Sequence, residues 1–155
     1  MHGSVQCVTR HFASPLPVWL PDRGEGRAAN PGPSVLVVED DHLVADAVIW
    51  ELEDAGYRVL TAISGEAALD ILRARHVDLL FTDIRLFNNQ ASLGMDGWRL
   101  AEEARKLRPD LPVIYTTGYT VEQPRLVPGS LFLHKPYRPS AVVDAAAKLG
   151  VAPPD

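Results

Sequence analysis

A chain of 155 residues, 46% hydrophobic and 23% charged, has the length and composition of one globular domain with a buried core, which excludes a fibrous repeat and wholesale disorder. Fifteen basic against twenty acidic residues leave a net charge of -5 with no basic stripe, so nucleic acid is not an expected partner. The single cysteine, Cys7, allows neither an intrachain disulfide nor a thiolate metal site, and no apolar run approaches the ~18 residues of a membrane helix or forms a secretory signal, so a cytoplasmic, membrane-free protein is expected.

Residues 1–33 contain Pro15, Pro17, Pro21, Pro31 and Pro33 and show no helical or strand period, the pattern of a disordered or extended arm. Gly24, Gly26 and Ala29 match G-x-G-x-x-A, but no strand precedes them and no helix follows, so the match predicts no nucleotide site. The folded domain is expected over 34–150, with 151–155 as a short tail.

Val35 to Val38 is a continuous aliphatic run, as a strand buried on both faces requires. Asp41 can cap a helix whose apolar positions, Leu43, Val44, Ala47, Val48, Leu52 and Ala55, recur at helical spacing until Gly56. Arg58 to Ala62 reads as a second strand. Ser64 caps a helix with Ala68, Ile71 and Leu72 on one face, and Val77 to Thr82 reads as a third strand. Asp96 caps a helix bearing Leu100, Ala101, Ala104 and Leu107, ended by Pro109. Val113 to Thr116 and Ser130 to Leu133 read as strands, and Pro139 opens a last helix with Val142, Val143, Ala146 and Leu149 inward. The βα pattern repeats five times, which predicts an α/β, doubly wound, five-stranded parallel sheet. The fourth helix is shortened: Pro124 and Pro128 break the segment from Tyr119 to Gly129 into a loop or a single turn.

In such a sheet the ligand site lies beyond the carboxyl ends of the strands, at the switch between the first and third. Glu39 and Asp40 follow the first strand and Asp83 follows the third. Three carboxylates in one cleft raise one another's pKa unless a cation sits among them, which implies a hard, oxygen-seeking metal. Taken singly, Glu39, Asp40 and Asp41 also read as acids favouring a helix N-terminus, and Asp83 as a solvated loop carboxylate. Lys135 after the fifth strand and the hydroxyls of Thr116 and Thr117 after the fourth bring a cation and donors to the same rim. Nucleophile, metal, ammonium and hydroxyl together suit phosphoryl transfer.

The strings V-L-V-V-E-D-D at 35–41, F-T-D at 81–83, M-D-G at 95–97, T-T-G-Y at 116–119 and H-K-P-Y at 134–137 resemble the response-regulator receiver family, in order and each near a strand end, over about Ser34 to Leu149. The resemblance implies the flavodoxin-like receiver fold, with Asp83 as phosphoacceptor and Mg2+ held by Glu39, Asp40, Asp83 and the backbone carbonyl of Arg85. It further implies Lys135 as the phosphoryl-binding lysine, Thr117 rather than Thr116 as the switch hydroxyl, and Phe132 as the switch aromatic, although a core phenylalanine is also compatible. The expected donor is a sensor histidine kinase or a histidine phosphotransfer protein, and the expected output a contact with another protein or drainage of phosphate. No turnover is expected beyond self-catalysed phosphoryl transfer and dephosphorylation.

Two features depart from the family pattern: a long loop over 84–96 with Phe87 where proline is common, and the shortened fourth helix, which resembles that of variant single-domain receivers. Two rival readings remain. An aspartyl-phosphate phosphatase of the haloacid dehalogenase type would want an acid where Arg85 stands, and a degenerate receiver would bind partners without phosphorylation.

Overall fold

The computed structural model describes residues 32–86, 94–118 and 123–154. The expected arm up to Pro31, the glycine motif within it, Phe87 and the middle of the long loop lie outside the described residues. Among those described are β1 (Ser34–Val38), α1 (His42–Asp54), β2 (Arg58–Ala62), α2 (Gly65–Ala74), β3 (Leu79–Asp83), α3 (Gly97–Leu107), β4 (Val113–Thr117), β5 (Leu131–His134) and α4 (Pro139–Lys148).

The strands form one parallel sheet in the order β2-β1-β3-β4-β5. Strand alternation divides its side chains between two cores. Leu36, Val38, Leu80, Val113 and Tyr115 meet Leu69 and Leu72 of α2 and Leu100, Ala101 and Ala104 of α3. Val35, Val37, Leu79, Phe81 and Ile114 meet Val48 and Leu52 of α1 and Val142 and Ala146 of α4. Every residue of β1, β3 and β4 is buried, whereas the edge strand β5 is half-buried or exposed, the signature of a sheet covered on both faces.

The helix starts follow the caps. The Asp41 carboxylate accepts from the N–H groups of Leu43 and Val44, the Ser64 hydroxyl from Ala67, and the Asp96 carboxylate from Arg99, which satisfies donors that each first turn would otherwise leave open. Gly56, at φ 105°, turns the chain out of α1 in the left-handed conformation that glycine tolerates.

Several strand ends differ from the sequence pattern by one or two residues: β1 begins at Ser34, β3 runs over Leu79–Asp83, β4 ends at Thr117 and β5 runs over Leu131–His134. β3 begins at Leu79 rather than Val77; just before it the Asp78 N–H donates to the Ser34 carbonyl at 2.9 Å, and the Asp78 carboxylate accepts from the Ser34 N–H at 2.8 Å. The compact unit starts at Gly32, and the Pro33 carbonyl already accepts from the Arg58 N–H at 2.9 Å. Beyond α4, Val151 is buried, donates from its N–H to the Ala146 carbonyl at 2.9 Å and accepts from the Tyr57 hydroxyl at its carbonyl, so the chain is still packed at that residue.

Between β4 and β5 no helix occurs among the described residues 123–130. The Tyr115 hydroxyl accepts from the Val127 N–H at 3.1 Å, and Arg105 donates to the carbonyls of Leu111 and Pro128, each at 2.7 Å. Side chains from β4 and α3 thus hold this connection. Among the described residues no helix is long and apolar enough to cross a membrane.

Candidate functional site

The carboxyl ends of β1 and β3, adjacent strands of the sheet, bring the acids together. Glu39 and Asp83 are 3% and 5% exposed, Asp40 is half-buried, and each offers an oxygen within 4.8 Å of the others. Side-chain oxygens at that spacing, from carboxylates that are hard ligands, match what a divalent cation such as magnesium or calcium accepts.

From the last turn before α4, the Lys135 ammonium reaches across β4 and donates to Asp83 Oδ2 at 3.0 Å and Glu39 Oε1 at 3.2 Å. Its backbone is fixed by donation from its N–H to the Thr117 carbonyl at 2.8 Å, and the Ile84 N–H donates to the Thr116 carbonyl at 2.9 Å. These bonds extend the ladder past the strand ends and hold the rim. The Lys135–Pro136 peptide is cis.

Asp83 is held through its own backbone as well. The Arg85 N–H donates to Asp83 Oδ1 at 3.3 Å, the Thr82 hydroxyl donates to the Asp83 carbonyl at 2.8 Å, and the Gly97 N–H donates to the Ile84 carbonyl at 2.8 Å. Gly97 cannot carry a side chain here, since a Cβ would lie 2.2 Å from the Asp83 carbonyl oxygen. The M-D-G string contained this glycine without revealing the close approach, which depends on how α3 seats against β3. Arg85 itself is exposed.

Burial, and then the neighbouring charge of Asp83, push the Glu39 carboxyl up to about 7, against the opposing pull of the Asp41 N–H and of Lys135. For Lys135 burial favours the neutral amine, but the hydrogen bond and charge of Asp83, with those of Glu39, outweigh it and raise the pKa. Burial, then the charges of Glu39 and Asp83, raise the Tyr137 phenol. Charge and oxygen donors are thus concentrated around one carboxylate, Asp83, at the end of a central strand.

The two threonines of β4 part company. Thr116 stands opposite Asp83 in the ladder, and its buried hydroxyl has no hydrogen-bond partner, whereas Thr117 ends the strand, equally buried, with its carbonyl accepting from the Lys135 N–H. Phe132 packs at the margin of the first core, its ring 6.2 Å from Trp98 and 4.8 Å from His134 between centroids. Tyr137 stands two residues past Lys135 with its hydroxyl buried and unbonded. The H-K-P-Y string displayed this tyrosine, but periodicity cannot tell a phenol that is satisfied from one that is not.

The model of the response regulator receiver domain matches residues 35–147. A sensor histidine kinase of Escherichia coli, RcsC, is 32% identical over 99 residues, 64% of this chain and 10% of that protein. The transcriptional regulatory protein AfsQ1 of Streptomyces coelicolor is 36% identical over 86 residues, 56% of this chain and 35% of that protein. The chain therefore spans only a minor part of the curated relatives it matches. Among solved structures, a response regulator receiver protein from Sinorhizobium medicae WSM419 superposes with a TM-score of 0.69 at 28% identity, covering 76% of this chain and 94% of that one. A CheY-like receiver domain protein from Methanospirillum hungatei JF-1 gives 0.66 at 27%, covering 77% and 94%. With its parallel sheet, its acidic cluster and a family match over nearly the whole of the described chain, this protein belongs to the response regulator receiver domain family of two-component systems.

Proposed function

We propose that the chain is a phosphoacceptor that takes a phosphoryl group from a phosphohistidine onto Asp83. The observation that carries this reading is the Asp83 carboxylate itself: buried at a strand end, bonded by an ammonium at 3.0 Å and clustered with Glu39 and Asp40. Glu39, Asp40, Asp83 and the Arg85 carbonyl would hold magnesium, which would offset charge on the transferring group and draw its oxygens into line. An O–P bond forms on Asp83 as the donor's N–P bond breaks and the imidazole leaves with the electron pair. Lys135 neutralises the phosphoryl oxygens, Thr117 donates to one of them, and Phe132 follows the rearrangement of β4 and β5 as the switch aromatic.

The donor is a sensor histidine kinase or a histidine phosphotransfer protein in the cytoplasm. Output is a contact with another protein or drainage of phosphate, with no turnover beyond the chain's own phosphorylation and dephosphorylation. Incubating the chain with acetyl phosphate and Mg2+ should add one phosphoryl group to the intact mass, and Asp83→Asn should abolish the gain while the fold survives, because the amide is nearly isosteric but a poor nucleophile. Equal labelling of the Asn variant would move the acceptor elsewhere. A wild-type chain that takes up nothing would make it a phosphorylation-independent binding module.

A further inference from the structure

On the reading of Asp83 as phosphoacceptor, we propose that the Tyr137 hydroxyl is a donor held in reserve, which takes over the Glu39 carboxylate when Lys135 turns to a phosphoryl group, so that Tyr137 is a positioning residue of the loaded site. The hydroxyl oxygen is buried and has no hydrogen-bond partner. A phenylalanine would fill the same space without burying an unpaired oxygen, an arrangement that costs stability in the unloaded protein. The ring stands edge-on to Phe81, with centroids 6.3 Å apart and planes at 78°. Phe81 precedes Asp83 by two residues on β3, so the phenol packs on the side of the sheet to which the Asp83 side chain points. The charges of Glu39 and Asp83 both act on the phenol, which carries its proton at neutral pH as any tyrosine does.

The need for a second donor follows from the bonds already made. Glu39 Oε2 accepts from the Asp41 N–H at 3.1 Å, whereas Oε1 accepts from Lys135 at 3.2 Å. Lys135 has three N–H bonds to share between two carboxylates, and a phosphoryl group on Asp83 adds three strong acceptor oxygens. As the ammonium turns to them, Oε1 gives up that hydrogen bond; magnesium would occupy one lone pair of the carboxylate, and the acceptor site that Lys135 vacates lies in a place that is 3% exposed, where water is no ready substitute.

The test compares wild type with Tyr137→Phe, both as full chains. Metal-free stability is read from urea unfolding, Mg2+ affinity by calorimetry, and affinity for beryllofluoride with Mg2+, a probe that mimics the aspartyl phosphate, by tryptophan fluorescence. The variant is expected to be as stable as wild type or more so and to bind Mg2+ alone equally, yet to bind beryllofluoride about tenfold more weakly, the cost of one hydrogen bond to a charged group. Equal beryllofluoride affinity overturns the proposal. So does a loss of metal-free stability, with or without weaker binding, because the hydroxyl would then serve the unloaded fold. Failure of wild type itself to bind beryllofluoride would instead overturn the phosphoacceptor reading and this inference with it.

Discussion

Replacing Gly97 by alanine sets two effects of opposite sign against each other. Gly97 opens α3, and alanine is preferred over glycine within a helix by up to about 1 kcal/mol, so propensity alone makes Gly97→Ala stabilising. The added Cβ would stand 2.2 Å from the Asp83 carbonyl oxygen, 2.8 Å from Ile84 Cα and 3.0 Å from the Asp83 carbonyl carbon. Carbon contacts settle near ~3.5 Å, so helix and strand must part by about 1 Å. Both clashing partners are backbone, and no side chain can swing aside. Overpacking of this kind costs roughly 1–3 kcal/mol, and loosening the Gly97 N–H bond to the Ile84 carbonyl adds about 1 kcal/mol. After the propensity gain, a net loss of about 2 kcal/mol is expected, read as a lower urea midpoint with an unchanged slope. The same displacement moves the Asp83 backbone, and a shift of this size near a reacting group slows phosphoryl uptake from acetyl phosphate by about 100-fold. Gly118→Ala is the control: its Cβ meets only Lys135 carbons at 3.8 and 3.9 Å, and its effect should stay within about 0.5 kcal/mol. A Gly97→Ala protein as stable as wild type would refute the steric argument.

Two further outcomes rest on the same geometry. Because the folded-state pKa of Glu39 is raised to about 7, the protonated side chain favours folding at low pH, and that contribution is lost as pH rises through 7. Metal-free Glu39→Gln should therefore gain on wild type between pH 5 and pH 8, by up to about 3 kcal/mol, since one pKa unit corresponds to 1.36 kcal/mol. Mg2+ should close the gap, and a difference that does not vary with pH across urea melts would count against the buried, repelled carboxylate. Tyr115→Phe removes the acceptor of the buried Val127 N–H, so a loss of about 1–2 kcal/mol is expected, with faster hydrogen exchange at residues 123–130. Unchanged exchange there would show that Arg105 alone holds the connection.

The ends of the strands were the most legible part of the chain. A fully buried parallel strand is a mostly apolar run, so the acids at its end, Glu39 just past β1 and Asp83 at the last position of β3, stand out by contrast. The helix starts at Asp41, Ser64 and Asp96 were legible for a related reason, since a cap is a local bond between a side chain and an N–H two or three residues on. What escaped depends on distant partners. Val77 and Asp78 look like strand, and nothing local shows that the Asp78 carboxylate accepts from the Ser34 N–H, forty-four residues earlier. Val151 looks like a tail until Tyr57, across the fold, claims its carbonyl. The aromatic Tyr137 reads as core, and its unpaired oxygen becomes visible only when its surroundings are in place.

The anionic and cationic halves of the site stand on foundations of different stiffness. Glu39 and Asp83 extend strands that are buried along their whole length and paired on both edges, whereas Lys135 hangs from β5, an edge strand that no residue of which is fully buried. Segments with fewer buried contacts open and shift at lower cost. On the phosphoacceptor reading, a new charge at Asp83 would meet acids mounted on central strands and a cation mounted on an edge strand. The strain of accommodating that charge would then be taken up more readily along β5, at the rim of the sheet, than at its buried centre.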